Sequence, residues 1–538
     1  MTTASGSVST VDVLVIGAGA AGSVVASRLS ENPDLQVLLL EAGTAGITDA
    51  VRTPWRWNEV LLTDLDWAYM SEPQPGMGGT QVYSAAGRGL GGTSNVYHMI
   101  HTRGRPADYD GWAEQGATGW SYAEVLPYLQ RLERQRDDTN PTAGRSGPIS
   151  VVNAREFGSP ISQAFIDACV ELGHPKVDDF NAADFGAGWH HVDIDPELGQ
   201  RCGAYAGYLA PALGRPNLAT EVGALVTELL FAGRRCVGAR YLQDGRLRTV
   251  RTRHEVVLSA GAIQSPKVLL LSGIGPAAQL ARHGIDVRVD LPGVGENFHD
   301  HPLIIGPIGY LDRPGPDPRG QVTEVALFAG SRPGLPLPDL EICLVHRAPF
   351  GEKFFANVIK RVQTGQPVAP VAELVDPHVV LSLPGLVRPR SRGRIRLAGP
   401  DPTANPLVSA NYYGERDDLE RTTTMVEIAR DIYRTEAFTS SWGITEIAPG
   451  PAVTTRAELT DWVVANTGSY YHFAGSCRMG AAGDPGAVVD PSLTVRGTTG
   501  LRVVDASVMP TLVSANPHTT VLMIAERAAE LIAADLAA

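Results

Sequence analysis

The chain reads Val11-Asp-Val-Leu-Val-Ile-Gly17-Ala-Gly19-Ala-Ala-Gly22 near its amino terminus and, after a helix-like run, Val37-Leu-Leu-Leu-Glu41-Ala-Gly43. Residues 11–16 are few, apolar in the main and mostly β-branched, which is typical of a strand that is buried on both faces. The order of strand, glycine turn, helix, strand and acid predicts a βαβ unit that binds a dinucleotide.

The three glycines and the acid each have a physical task in such a unit. Gly17 permits the tight turn, Gly19 lets the backbone approach a pyrophosphate, and Gly22 lets the helix pack closely on the strand. Glu41 follows the second strand, where a carboxylate can accept hydrogen bonds from a ribose diol. An ordinary glycine-rich turn would not need Glu41. The stretch alone does not distinguish FAD from NAD.

Length and composition bound the class of protein. With 538 residues the chain exceeds the size of a single core, so we expect two or more domains. A net charge of −13 without a long basic run argues against a nucleic-acid surface. The sequence has no run of 18 apolar residues and no secretion signal, so we expect no membrane span. Five scattered cysteines without a CxxC pair predict reduced thiols in a cytoplasmic protein.

A second glycine cluster, Gly87-Arg-Gly-Leu-Gly91-Gly92-Thr93-Ser94-Asn95, predicts either another close approach of backbone to a ligand or a simple turn. Residues 44–86 are predicted to be irregular loop. Residues 302–410 are predicted to form an antiparallel sheet with long loops, because prolines are dense there and alternating strands recur. The predicted helices cover residues 121–135, 160–172, 417–435 and 521–536. Another helix is predicted to start at Ser265-Pro266, after a strand that begins at His254.

Histidine clusters raise the question of a metal site. His190 and His191 are adjacent, so on a strand they would point to opposite faces and would not share an ion. His299, Asp300 and His301 place polar side chains among glycines, where hydrogen bonding around a cofactor or a domain junction is the better interpretation. We therefore predict no metal.

Two of the 13 histidines, His472 and His518, lie in turns that are rich in small polar residues. A flavin that oxidises an alcohol needs one base for the hydroxyl proton and one hydrogen-bonding group for the developing alkoxide. Two histidines beside one isoalloxazine ring would meet both needs. Neither G-x-S-x-G nor HExxH occurs, so hydrolase alternatives find no support.

The chain resembles the glucose–methanol–choline (GMC) oxidoreductases, which are FAD-dependent flavoenzymes, nearly from end to end. The segment that runs from Gly261 through Ser265-Pro266 to Ser272-Gly273-Ile-Gly275 is similar to the second signature of that family. The resemblance implies FAD as the cofactor, which the residues by themselves left open. The segments that carry it are residues 17–22 with Glu41, 87–104, 261–275, 293–301, and 472–480 with 505–520.

The resemblance implies a role for each matching residue. His472 corresponds to a catalytic base that follows an aromatic residue, and His518 corresponds to a second catalytic position, so the catalytic pair is His/His. Tyr97 and Phe473 are expected in the substrate pocket. The implied FAD contacts are Gly17, Gly19, Ala21, Gly22, Glu41, Ala42, Trp67, Arg88, Gly92, Thr93, Ser94, Asn95, Val96, Val226, Asp505, Ala506, Asn516, Pro517 and Thr519.

The chain departs from the pattern of this family at two positions. Many members have an asparagine where this chain has Tyr97, so the shape of the pocket and one hydrogen bond near the flavin differ here. Members with covalently attached FAD have a histidine where this chain has Val96. Valine cannot form that bond, so we expect FAD to be bound non-covalently.

The resemblance also implies a fold of mixed α/β and α+β class. It consists of a Rossmann-like FAD-binding domain and a substrate domain built on an antiparallel sheet with flanking helices. Both domains are expected to be discontinuous. The expected FAD-binding domain covers residues 1–155, 215–305 and 460–538, and the expected substrate domain covers residues 156–214 and 306–459.

The expected reaction is the oxidation of a small alcohol to a carbonyl by hydride transfer to FAD, with oxygen or another electron acceptor as the oxidant of the flavin. A cyanohydrin lyase or a light-driven decarboxylase on the same scaffold is the alternative. A flavin-binding protein without chemistry agrees less well with the two histidines. The identity of the alcohol, the electron acceptor and the oligomeric state stay open.

Overall fold

A parallel arrangement of strands carries the amino-terminal glycine turn. The structure, a computed structural model, describes residues 9–317, 319–321, 323–347 and 375–537. The strand Ser9–Ile16 pairs in parallel with Val37–Leu40 on one side and with Arg246–Leu258 on the other. Every residue of Val37–Leu40 is buried, as expected for a strand covered on both faces. The predicted βαβ unit is confirmed, and its helix covers Ala20–Leu29.

The first sheet, as we call the seven-stranded sheet around this unit, combines parallel strands with an antiparallel extension. The long strand Arg246–Leu258 starts well before His254, where the sequence placed its beginning, because it also forms a hairpin with Arg235–Gln243. In spatial order the strands are Leu218–Glu221, Val37–Leu40, Ser9–Ile16, Arg246–Leu258, Arg235–Gln243 and Leu225–Ala232, and Leu501–Val503 pairs beside Arg246–Leu258.

Helices cover the first sheet and bury its core. The helix Gly261–Leu271 starts at Gly261, four residues before the Ser265-Pro266 start that the sequence predicted, and Pro266 lies inside it. The carboxyl-terminal helix His518–Ala537 packs against Ala20–Leu29. Arg28 of one helix lies 2.8 Å from Glu526 of the other in a largely buried ion pair. The other helices on this side of the molecule are Pro106–Glu114 and Tyr122–Leu132.

The second sheet, as we call the eight-stranded sheet, is antiparallel throughout, which confirms the predicted architecture of this part of the chain. Its central strands are buried on both faces. In spatial order its strands are Thr445–Ala448, Ile308–Tyr310, Val379–Leu386, Leu340–His346, Thr323–Ala329 and Gly186–Trp189, and Pro302–Ile304 pairs with both Val379–Leu386 and Thr467–Ser469.

In the part of the chain that the structure describes, four helices flank the second sheet, and their apolar residues form a core with one of its faces. Side chains on the opposite face, including Val345, Leu381 and Leu383, belong to a separate apolar cluster. This alternation follows from the two-residue repeat of a strand. The helices are Pro160–Glu171, Arg416–Arg434, Glu436–Trp442 and Arg456–Ala465.

Short elements fill the remainder of the described chain, and several interrupt residues 44–86, which the sequence predicted to be loop only. The helical turns are Asp49–Arg52, Pro54–Val60, Pro75–Met77, Gly92–Asn95, Ala154–Glu156, Tyr205–Leu209, Ala210–Ala212, Ala277–Arg282 and Ala506–Val508. The paired short strands are Tyr69–Met70 with Tyr83–Ser84, Ile274–Gly275 with Val289–Asp290, Arg394–Arg396 with Leu407–Ser409, and a four-stranded group of Glu133–Gln135, Ile149–Asn153, His191–Asp195 and Gln200–Arg201.

Two strands bear on the expected division of the chain. Residues 302–304 and 467–469, which the sequence assigned to the FAD-binding domain, pair with the second sheet. The domain boundaries therefore stay a prediction. In the described part of the chain, no helix has both the length and the apolarity that a bilayer crossing requires. The five cysteines are buried and unbridged.

Candidate active site

A cavity of about 370 Å³ extends from the glycine turn of the first sheet to the face of the second sheet that carries Val345, Leu381 and Leu383. It brings together most of the residues that the sequence nominated. Gly22, Arg88, Asn95 and Thr519 are the nominated residues that do not line it. Those that do are Gly17, Gly19, Ala21, Glu41, Ala42, Trp67, Gly92, Thr93, Ser94, Val96, Tyr97, Val226, His472, Phe473, Asp505, Ala506, Asn516, Pro517 and His518.

The amino-terminal turn leaves room for a ligand at one glycine and none at its neighbours. Gly17 has a φ of +97°, and a Cβ there would lie 2.5 Å from the Ser259 carbonyl oxygen. A Cβ at Gly22 would lie 1.8 Å from the Gly17 oxygen, although Gly22 itself does not line the cavity. Around Gly19 no atom lies within 4 Å of the Cβ position. The backbone at Gly19 therefore faces open space, as a turn that cradles phosphate requires.

The second glycine cluster packs directly on the first turn. The Gly91 backbone N–H donates to the Ala18 carbonyl at 2.7 Å. A Cβ at Gly92 would come within 2.7 Å of the Gly19 Cα. Asn95 turns away from the cavity and donates through Nδ2 to the Leu90 carbonyl at 2.6 Å. Residues from these two segments, far apart in sequence, thus form one wall, and Asn95 stabilises that wall from behind.

Glu41 is held in a fixed position at the cavity wall. Its carboxylate accepts hydrogen bonds from the backbone N–H groups of Ala18 at 2.9 Å and Gly43 at 2.7 Å. Burial raises the pKa of Glu41 above its ordinary value, and these hydrogen bonds oppose the rise. A ribose hydroxyl that donated to Glu41 would also oppose it, because it would favour the charged carboxylate.

Asp505 and its neighbours form the carboxyl-terminal wall. The Asp505 carboxylate accepts hydrogen bonds from the Gly261 backbone N–H at 2.9 Å and from Ser265 Oγ at 2.6 Å. The second bond gives a partner to Ser265, which is buried inside the helix Gly261–Leu271. Burial raises the pKa of Asp505. Nearby polar atoms remain unpaired although they are buried, and such atoms point to a polar ligand. Those that belong to cavity-lining residues are Ser259 Oγ, Asn516 Oδ1 and Nε2 of His518.

Trp67 and Arg88 form a stacked pair beside the second glycine cluster. The Arg88 guanidinium lies 4.8 Å from the centroid of the Trp67 ring. Trp67 lines the cavity and Arg88 does not. Arg88 therefore acts on the cavity through the tryptophan, although the sequence placed it in direct contact with a cofactor.

His472 is held by two residues that the sequence did not nominate as part of the site. Its backbone N–H donates to Asp300 Oδ1 at 2.7 Å, and its Nδ1 lies 2.9 Å from Nδ1 of His301. Asp300 also accepts from the Tyr412 hydroxyl at 2.6 Å. Burial lowers the pKa of His472 well below its ordinary value, and the neighbouring His301 lowers it further. His472 is therefore a neutral imidazole at neutral pH.

His518 begins the carboxyl-terminal helix and is oriented by Asp193. Its Nδ1 lies 3.2 Å from Asp193 Oδ2. The same oxygen accepts from the Tyr97 hydroxyl at 2.7 Å, and the Tyr97 ring lies 4.4 Å from the His518 ring. The other Asp193 oxygen lies 2.6 Å from His101 Nδ1. Burial on its own raises the pKa of Asp193. Its contacts with His101 and His518 have the larger, opposite effect, so the pKa lies below its ordinary value.

Sequence reasoning missed Asp193 as a partner of His518, since no motif surrounds it. Asp300 and His301 lie in the glycine-rich segment 293–301, for which the sequence favoured hydrogen bonding over a metal site. Their side chains have different partners: Asp300 holds the His472 backbone, and His301 contacts the His472 ring. His299 accepts the Leu512 N–H at 2.7 Å.

Among the described residues, one group of potential metal ligands lies close to a residue that lines the cavity. His190, Glu341 and Cys343 are buried, and their ligand atoms lie within 4.8 Å of one another. The Cys343 sulfur lies 3.3 Å from the hydroxyl of Tyr470, which does line the cavity. His190 and His191 have different surroundings, as predicted, because His191 contacts Asp137 at 2.8 Å instead.

Known proteins match this chain over nearly its full length. The GMC oxidoreductase family matches residues 11–303 with its amino-terminal part and residues 389–525 with its carboxyl-terminal part. The chain belongs to the GMC oxidoreductase family. The mitochondrial choline dehydrogenase of Mus musculus is 37% identical over 96% of this chain and 89% of its own length.

Solved structures of GMC oxidoreductases have the same fold. Pyridoxine 4-oxidase from Mesorbium loti superposes with a TM-score of 0.87 at 30% identity, and the match covers 97% of this chain and 98% of that enzyme. A formate oxidase variant from Aspergillus oryzae RIB40, in a study of FAD modification, superposes with a TM-score of 0.85 at 25% identity over 99% of each chain. The present chain is thus an FAD-dependent oxidoreductase that acts on CH–OH donors.

The chemical groups that line the cavity fit the FAD of the GMC family. The open backbone at Gly19 suits a pyrophosphate, and Glu41 supplies the acceptor for a ribose. The unpaired buried atoms of Ser259 and Asn516 offer further hydrogen bonds to a polar ligand. Two glycine segments and the start of the carboxyl-terminal helix therefore surround the space that this cofactor needs.

Proposed function

We propose that this chain oxidises the hydroxyl carbon of a small alcohol to a carbonyl, with His472 as the base and His518 as the hydrogen-bonding group for the substrate oxygen. The proposal rests mainly on one observation: both imidazoles line the same cavity as the glycine turn. FAD, when bound there, supplies the acceptor for the hydride that leaves the carbinol carbon. The side chains have to orient the alcohol and remove its proton.

The tautomer of His472 supports its role as a base. Nδ1 of His472 lies 2.9 Å from Nδ1 of His301, so one nitrogen donates and the other accepts, and we assign the accepting role to His301. A proton on His301 Nε2 makes its Nδ1 an acceptor. His472 then donates through Nδ1–H and keeps a lone pair on Nε2, the nitrogen that can take a hydroxyl proton.

The surroundings of His518 support a different role. Asp193 contacts its Nδ1, so Nε2 is the nitrogen left for a ligand. Asp193 is a firm negative charge, because contacts that include His518 lower its pKa, and an N–H donor at Nε2 of His518 would stabilise a developing alkoxide. The two histidines thus differ in their partners: His472 has a neutral histidine, and His518 has an aspartate.

Anaerobic stopped-flow mixing with a panel of primary and secondary alcohols tests the reaction. We expect at least one alcohol to bleach the oxidised flavin absorbance. His472→Ala should slow that bleaching by about 10²- to 10⁴-fold, the usual contribution of a positioned base, while the FAD content stays the same. His254→Ala, at a half-exposed side chain, is the matched control.

Other outcomes of this experiment would contradict the proposal. Normal bleaching by His472→Ala would remove its role as the base. Conversion of a cyanohydrin without bleaching would favour a lyase, and conversion of a fatty acid under illumination alone would favour a decarboxylase. Repeating the reaction with oxygen and with a quinone identifies the electron acceptor.

We also propose that FAD is bound non-covalently and that the protein is cytoplasmic. Val96 lines the cavity and has no atom that could bond to the flavin. After unfolding in guanidinium, gel filtration should separate the yellow colour from the polypeptide. Flavin that co-elutes with the unfolded chain would refute the non-covalent mode.

A further inference from the structure

Among the residues described, the cavity ends, on the side of the second sheet, in a wall made mainly of aliphatic side chains. Strand pairing places Val345 opposite Leu381 and Cys343 opposite Leu383, which brings their side chains to one face. All four belong to the same apolar cluster. We call the aliphatic cavity-lining residues of this cluster the apolar wall; they are Ile100, Leu303, Ile305, Val345, Leu381 and Leu383. Tyr470 lines the cavity beside them, with its hydroxyl 3.3 Å from the Cys343 sulfur.

The apolar wall lies next to the proposed base. Leu303 follows His301, the partner of His472, by two residues. Tyr470 stacks on His472 with ring centroids 4.4 Å apart. The Tyr470 ring also occupies the space beside Gly385, where a Cβ would lie 2.5 Å from it. An alcohol whose hydroxyl meets His472 therefore places the rest of its body against this wall.

Among the residues described, carboxylates line the cavity only at the end that the first sheet forms. They are Glu41 and Asp505. Both already accept hydrogen bonds from backbone N–H groups near the glycine turn. Neither belongs to the second sheet.

The other carboxylates near the site are occupied and do not line the cavity. Asp193 contacts His101, His518 and Tyr97. Asp300 accepts from the backbone of His472 and from Tyr412. Glu341 is fully buried beside Cys343, and burial raises its pKa to about 7, so it offers no firm negative charge.

Aromatic rings can also hold a cation, and two of the rings that line this cavity already pack on another ring. Phe473 stacks on Phe298 at 5.7 Å, and Trp57 lies 4.2 Å from His98. Among the residues described, a quaternary ammonium group at the apolar wall would lose its hydration without meeting an anion, which is unfavourable. An apolar group of the same shape would lose nothing and gain burial.

We propose that the substrate is an uncharged alcohol with an apolar body, in contrast to the choline named for the mouse relative. This inference rests on the proposed oxidation of an alcohol. The recognition elements are the hydroxyl, read by His472 and His518, and the hydrocarbon body, read by the apolar wall. Specificity then follows from apolar burial at Leu303, Leu381 and Leu383.

A pair of isosteric alcohols tests the proposal on the wild-type holoenzyme. Choline and 3,3-dimethylbutan-1-ol have the same shape and differ in one charged atom. We expect the neutral alcohol to reduce the flavin with a rate-to-Kd ratio about 100-fold above that of choline. A choline ratio equal to or above that of the neutral alcohol would overturn the inference and leave the proposed oxidation standing. Bleaching by neither these nor any other alcohol would overturn both.

Two substitutions test the wall itself. Leu303→Asn keeps the size of the side chain and adds polarity, so the ratio for 3,3-dimethylbutan-1-ol should fall about tenfold with unchanged FAD content. Leu247→Asn makes the same change at a side chain that is 62% exposed and should have no effect. If Leu303→Asn does not fold, Leu381→Ala is used, and it should shift preference towards bulkier alcohols. An unchanged preference in the folded variant would contradict the proposal.

Discussion

The imidazoles of His301 and His472 meet with their Nδ1 atoms 2.9 Å apart and their ring planes nearly perpendicular, at 85°. A hydrogen bond between the two Nδ1 atoms needs one donor and one acceptor, so only one of them carries a proton. The contact thus couples the tautomers of the two residues. Because His301 is fully buried and His472 is partly buried, solvent competes little for this hydrogen bond.

Substitutions at His301 should change the rate of flavin reduction through the tautomer of His472. Leucine removes the acceptor, so we expect His301→Leu to slow bleaching by an alcohol about 10²-fold. Asparagine can accept through its side-chain oxygen and should recover part of that loss. FAD content and the pH profile of reduction are measured on both variants. Equal rates in the leucine and asparagine variants would show that the hydrogen bond plays no part.

The hydroxyl of Tyr97 should stabilise the fold through Asp193. Tyr97→Phe removes one buried hydrogen bond of 2.7 Å to the oxygen that also contacts His518. We expect a loss of about 1 kcal/mol in the free energy of unfolding and a smaller flavin reduction rate. Tyr128→Phe, at a hydroxyl bonded to Glu530 on the surface, is the control and should change neither. Comparable losses in the two variants would contradict this role.

Buried histidines should make the folded state less stable in acid. Burial lowers the pKa of His98, His190 and His301 to about 3, whereas an unfolded histidine has a pKa of about 6.5. Between these pH values the histidines bind protons in the unfolded chain but not in the folded chain. The free energy of unfolding therefore falls as the pH falls below 6.5. Each such histidine contributes up to about 1.4 kcal/mol per pH unit.

Denaturant titrations at pH 7.5, 6.0 and 5.0 with excess FAD measure this dependence. His190→Asn should make the free energy of unfolding less dependent on pH than in the wild type, because the variant lacks one group that binds a proton only after unfolding. His254→Asn changes a half-exposed histidine and should leave the slope unchanged. A steeper or unaltered slope in His190→Asn would contradict the assignment.

A methyl group at Gly22 should disrupt the cofactor cradle although Gly22 does not line it. Its Cβ would lie 1.8 Å from the Gly17 oxygen, so the turn and the helix would have to separate. We expect Gly22→Ala to lose bound FAD and to melt at a lower temperature. Gly111→Ala, within the helix Pro106–Glu114 and without an atom within 4 Å of its Cβ position, should melt at the same temperature or higher. Retention of FAD by Gly22→Ala would refute this account.

Local sequence patterns predicted the βαβ unit well, because each signal lies within a few residues of the structure that it produces. The strand Ser9–Ile16 and the helices Pro160–Glu171 and Arg416–Arg434 agree closely with the predicted ranges. Boundaries failed where a distant partner decides them. The helix that was expected from 121 to 135 ends at Leu132, since residues 133–135 pair with the strand Ile149–Asn153.

The same distinction applies to the site. The sequence by itself determined the βαβ unit and its glycine turn, because glycines, a strand and an acid within one short segment dictate that geometry. It also nominated His472 and His518 through a family resemblance. Only the tertiary structure decided that His301 contacts one of them and Asp193 the other. Those partners come from strands and loops far along the chain, and no local pattern encodes a contact that exists only after the two sheets have packed.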